Sequence, residues 1–150
     1  MRQHILDERV FEDFALGKAC AALALGGVAL RGSVDGAAGF DGTIAVQARQ
    51  VVEETDWLLQ LADTHPFVKG VVGWVDLGEP SAIPTLTHLA RNPLFKAVRP
   101  MLQDVPDPAW LLRAEVGRAL AALPRLGLRF EALVKPAQLP ALLTMLDRHP

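Results

Sequence analysis

From Gly42 onward, short apolar runs rich in β-branched residues alternate with longer stretches whose apolar positions recur every three or four residues. The first kind of run suits a buried strand and the second an amphipathic helix. "GTIAVQA" (Gly42–Ala48), "FVKGVVGWVDL" (Phe67–Leu77), "LFKAVRPML" (Leu94–Leu102) and "LRFEALV" (Leu128–Val134) read as strands. Between them, helical spacing runs from about Gln50 to Thr64, from Pro80 to about Arg91 with Pro84 in the opening turns, and from Ala109 to Leu126. Gly127 closes the third helix, and a last one runs from Pro136 to His149. Proline suits a first helical turn and glycine a helix end, so both boundaries have a steric reason.

Strands separated by helices cannot join as tight hairpins. They pair in parallel through right-handed crossovers, which predicts an α/β class. Periodicity leaves a doubly wound sheet and part of a (β/α)8 barrel both open, and a complete barrel needs about 250 residues. The first 38 residues break the rhythm. Ile5 to Leu30 reads as one or two helices interrupted at Gly26-Gly27, and "RGSVDGAAG" as a flexible connection. The expected organisation is a non-matching helical or flexible segment, 1–38, and a strand–helix domain, 39–150.

Composition narrows the function classes. With 150 residues, 51% hydrophobic and a formal charge of -2, the chain has the profile of a soluble globular domain. It carries no electrostatic footprint for nucleic acid. The apolar stretch Ala19–Leu30 is shorter than the roughly 18 to 20 residues of a membrane span. Acids near the N-terminus argue against a secretory signal, and the lone Cys20 against a disulfide framework, so a cytoplasmic protein is expected.

Ligand sites of parallel α/β folds open at the carboxyl ends of the strands. That rule selects Gln47, Trp74 with Asp76, Arg99 with Gln103, and Lys135. Arg99 interrupts an apolar strand, and burying an unpaired charge is costly. It therefore binds a ligand carboxylate or forms an ion pair with Asp104 or Asp107. Gln47 contacts substrate or hydrogen-bonds a neighbouring loop. Trp74 suits packing more than a ligand platform, Asp76 a turn or cap, and Lys135 solvent. His4, His65, His88 and His149 are too scattered for a metal site, and no cofactor is expected in this chain. His65 and His149 precede proline at helix ends, where a cation suits the dipole.

The phrases "GFDGTIAVQA", "HPFVKGVVGWVDL", "VRPMLQDVPDPAWLLRAEV" and "GLRFEALVKPAQLP" resemble, in order and spacing, the amidohydrolase-related family. These TIM-barrel hydrolases include sugar-lactone and pyrone-dicarboxylate lactonases. The resemblance runs over about residues 39–150 and implies strands two to five of the barrel. It implies lactone or amide hydrolysis of a small molecule, with a divalent metal in some full-length members. The family's His-x-His pair, later His and final Asp have no counterpart here, which implies a truncated barrel. Only a supporting wall of candidate substrate contacts carries over: Arg99, Gln47, Gln103 and Trp74. An inactive fragment or assembly partner, self-associating through open sheet edges, is the alternative expectation.

Overall fold

A computed structural model describes residues 41–149. Its sheet is parallel throughout, in the order β1-β2-β3-β4, with β1 (Thr43–Val46), β2 (Val68–Gly73), β3 (Phe95–Val98) and β4 (Arg129–Phe130). The helices are α1 (Val52–Thr64), α2 (Ala82–Leu89), α3 (Ala114–Ala122) and α4 (Leu139–Arg148). The α/β class and the four-fold strand–helix alternation follow the hydrophobic pattern. The N-terminal helices expected before residue 38, with His4 and Cys20, lie outside the described residues.

β2 reads as an almost unbroken apolar run because both of its neighbours are strands and helices cover it. Val68, Val71 and Val72 are all at most 2% exposed. Parallel strands buried on both faces show this continuous pattern rather than alternation. The core continues through Leu58 and Leu59 of α1, Leu86 and Leu89 of α2, Val116 and Leu120 of α3, and Met145 of α4. Each fully buried aliphatic side chain contributes about 1.5–3 kcal/mol over an exposed one.

β1, β2 and β3 are each shorter than the apolar runs that contain them, and two elements depart further from the expectation. The stretch Ala109–Leu126 is not one helix: a 3-10 turn at Trp110–Leu112 is followed by extended backbone at Arg113 (ψ 142°), and α3 starts only at Ala114. Arg113 is held by its ion pair to Asp107 at 2.8 Å, across the Asp-Pro loop. β4 has two residues instead of seven. Its partner β3 ends at Val98, and the chain leaves the sheet through Pro100 into a 3-10 turn at Leu102–Asp104, so β4 runs out of ladder. Gly127 ends the following 3-10 turn, Pro124–Leu126, with φ 70°, a left-handed conformation that glycine adopts at no steric cost. Among the described residues no helix is long and apolar enough to cross a membrane.

Candidate functional site

In a sheet of strand–helix units, every strand ends and every crossover helix begins at the same end. Orphan backbone groups from both collect there. Gln47, Trp74 and Arg99 follow β1, β2 and β3 directly. The ladder extends one step past the strands: the Gln47 N–H donates to the Val72 carbonyl at 2.8 Å and the Arg99 N–H to the Gly73 carbonyl at 2.9 Å.

Gln47 and Arg99 then pair reciprocally from the two strands that flank β2. Gln47 Nε2 donates to the Arg99 carbonyl at 2.8 Å, and Arg99 Nη2 donates to the Gln47 carbonyl at 3.1 Å. Gln47 is only 2% exposed, while Arg99 is half-buried. Neither ion pair foreseen for Arg99 forms among the described residues, and Asp107 is engaged by Arg113. One backbone carbonyl, that of Gln47, holds the guanidinium in place of a counter-ion. The arrangement leaves Gln47 Oε1, Arg99 Nε and Gln103 Oε1 buried without a partner. A buried polar atom left unsatisfied costs about 1–3 kcal/mol, so three in the segments that follow β1 and β3 are conspicuous.

Trp74 is half-buried, and its backbone is held from α1. The fully buried Thr55 hydroxyl accepts from the Trp74 N–H at 2.9 Å and donates to the Trp74 carbonyl at 3.2 Å. This close approach requires glycine at 73, because a Cβ there would lie 2.3 Å from Thr55 Cγ2. The preceding residue, Glu54, is 2% exposed and reaches back to the exit of β1. Its Oε2 accepts from the N–H groups of Ala48 (3.1 Å) and Arg49 (2.7 Å). Burial pushes the Glu54 carboxyl above the ordinary glutamate range, against the opposing pull of those two donors and of the Arg49 charge.

Four residues beyond Arg99 in the chain, Gln103 lines a cavity of about 250 Å³ with Asp104, Lys135 and Gln138. Gln138 ties this end together: its Oε1 accepts from the Lys135 N–H at 2.8 Å, and its Nε2 donates to the Leu102 carbonyl. Lys135 is exposed, and Asp76 closes a turn by accepting the Gly78 N–H, as foreseen for both. The larger cavity, about 450 Å³, lies at the opposite end of the units between α1 and α2. There Asn92 bonds both oxygens of Asp63, and nothing from the strand carboxyl ends reaches it.

Of the four candidate contacts, the structure joins Gln47 and Arg99 directly and sets Trp74 on the strand between them. No hydrogen bond links Gln103 to the pair. Reading the sequence missed Glu54, Thr55 and Gln138. Glu54 and Gln138 stand at the third helical position, where a side chain reaches back to preceding amides, and that spacing was the available signal. His65 and His149 cap the ends of α1 and α4. Among the described residues no group of three or more His, Cys, Asp or Glu side chains converges as a metal site.

No family model matches the chain. An L-fucono-1,5-lactonase of Burkholderia ambifaria is 42% identical over 112 residues, which are 75% of this chain and 39% of the relative. A second L-fucono-1,5-lactonase, from Burkholderia multivorans, is 34% identical over 71% of this chain and 36% of its own length. A solved amidohydrolase from Burkholderia multivorans with bound zinc superposes with a TM-score of 0.69 at 33% identity, covering 75% of this chain and 40% of that one. A crystal form with bound HEPES gives 0.68 at 32% identity, covering 75% and 39%. The chain therefore spans about two fifths of the length of these relatives.

Proposed function

From a chain that matches the amidohydrolase-related family over about 75% of its length, we propose a part in lactone hydrolysis, as the substrate-binding wall of the reaction site. One observation carries the reading: the Gln47–Arg99 pair fixes a half-buried arginine at the carboxyl end of the sheet, where ligand sites of this fold open. A guanidinium anchored on the Gln47 carbonyl offers its remaining directed N–H groups to a carboxylate or to a polarised lactone carbonyl. Arg99 takes that role. Gln47 holds it in place, and Trp74 and Gln103 flank the sugar-like ring.

A divalent metal activates water in metal-dependent hydrolysis. The described residues do not fit one, since they bring together no ligand set, so no step here is routed through a metal. On this reading the groups that activate water come from outside residues 41–149. The same observation, with β1 and β4 at the two edges of the described sheet, favours a second reading. There the chain has no turnover of its own and serves as an assembly partner.

Titration of the chain with L-fuconic acid, the product of the relatives' lactone, tests the first reading. Saturable binding is expected, weakened at least about tenfold by Arg99→Ala and not restored by Arg99→Lys. Absence of binding, or binding indifferent to residue 99, sinks it. Acid release from L-fucono-1,5-lactone by the chain alone, lost in Arg99→Ala, overturns the second reading, and so does a stable monomer in sedimentation.

A further inference from the structure

The substrate wall stands on two consecutive residues that carry no expected role in it. α1 is the crossover from β1 to β2 and runs antiparallel to both, so its first turns lie beside the exits of both strands. Successive helical residues point about 100° apart. One can therefore turn to the β1 exit and the next to the β2 exit. Glu54 holds the amides of Ala48 and Arg49, immediately after Gln47. Thr55 holds both backbone groups of Trp74, immediately after Gly73. Both side chains are at most 2% exposed.

We infer that Glu54 and Thr55 are positioning residues for the Gln47–Arg99–Trp74 wall: they fix the backbone from which the guanidinium is aimed and the indole is presented. The assignment to substrate binding rests on the function proposed above. The mechanical linkage does not.

The Gln47 carbonyl that receives Arg99 Nη2 belongs to the same planar peptide unit as the Ala48 N–H held by Glu54, and the Gln47 side chain that reaches the Arg99 carbonyl springs from the same residue. Releasing Glu54 therefore frees both halves of the reciprocal pair. Releasing Thr55 leaves the Trp74 N–H and carbonyl without protein partners just past the last ladder bond of β2. An orphaned pair of buried backbone groups favours local opening. The neighbouring core should not feel either change, because Val71 and Val98 sit inside the ladder with both faces covered.

Hydrogen exchange of the full chain by nuclear magnetic resonance tests the linkage without any ligand. In Glu54→Ala, exchange at the buried Arg99 Nε–H should quicken about tenfold more than at the Val71 and Val98 amides, and Glu54→Gln, which keeps an acceptor oxygen, should restore most of it. If the alanine variant gives no folded spectrum, Glu54→Asp, one methylene too short to reach both amides, takes its place. Thr55→Val should quicken the Trp74 amide selectively, with Thr55→Ser restoring it. Unchanged exchange, or an equal rise across the sheet, overturns the inference, the latter marking a merely structural role. Titration with L-fuconic acid then separates the two claims. Selective exchange with about tenfold weaker binding in Glu54→Ala upholds both. Selective exchange in the variants, with no acid bound by the wild-type chain, upholds the linkage and sinks the proposed function. Selective exchange with unaltered binding overturns the positioning role.

Discussion

β2 and β4 belong to one parallel sheet and are held by different forces. β2 contributes six residues, is paired on both sides and buries its valines almost completely. β4 contributes two, Arg129 exposed and Phe130 half-buried, and it is paired on one side in the described sheet. At the centre, burial of apolar area sets position. At the edge, the chain after β4 is gripped by a buried amide side chain, Gln138, which bridges to the Leu102 carbonyl, as well as by the apolar contacts of Ala141 and Met145. A strand can be located by what covers it or by what grips its exit, and this sheet uses each in a different place.

The contrast can be broken most forcefully at the centre. Leu86→Ala removes a side chain that is 0% exposed beneath the sheet, and a loss of about 3 kcal/mol in urea unfolding is expected across the whole transition. Gln138→Ala should cost about 2 kcal/mol, from a carbonyl and an amide deprived of partners. Its signature is local. Amide exchange should quicken around Lys135 and α4 while Val71 stays protected. If Val71 quickens equally, edge and centre are one cooperative unit and the distinction falls.

A smaller effect follows from Glu54. Its carboxyl is raised in the folded chain, burial being the larger cause, so the folded state favours the protonated form. The stability this gives is present below the unfolded value and lost as pH rises through the folded one. Unfolding midpoints should thus decline over the pH range just above that of an ordinary glutamate, and Glu54→Gln should flatten the slope. The smallest effect belongs to the rim. Asp107 is held below the usual carboxylate range first by the Ala109 N–H and then by Arg113, yet the pair is exposed. Arg113→Ala should leave the unfolding midpoint where it is, because exposed ion pairs are screened by water.

The strands and helices were legible because their cause is local: β-branched runs and a period near 3.6 survive any context. Gln47 and Arg99 were legible as polar interruptions at the end of apolar runs. Glu54 and Thr55 were not, since two polar residues in a first helical turn look like a solvated face. The spacing of Glu54 signals a reach back to preceding amides, but only the crossover geometry reveals that both residues are buried. The extent of β4 was hidden for a related reason. "LRFEALV" has strand composition, but β4 finds ladder partners only at Ala97 and Val98, where β3 stops. The helical pattern breaks at Arg113, whose backbone is extended and whose side chain pairs with Asp107 six residues back, a contact that helical periodicity does not encode.

Gly73 and Thr55 share one small volume: the hydrogen on one α-carbon makes space for the methyl on the other. The two positions are therefore epistatic. A survey that varies them singly will score each as intolerant, whereas enlarging 73 while shrinking 55 moves the same atoms across a contact. Tolerance here is a property of the pair, and inheritance of either residue alone carries little meaning.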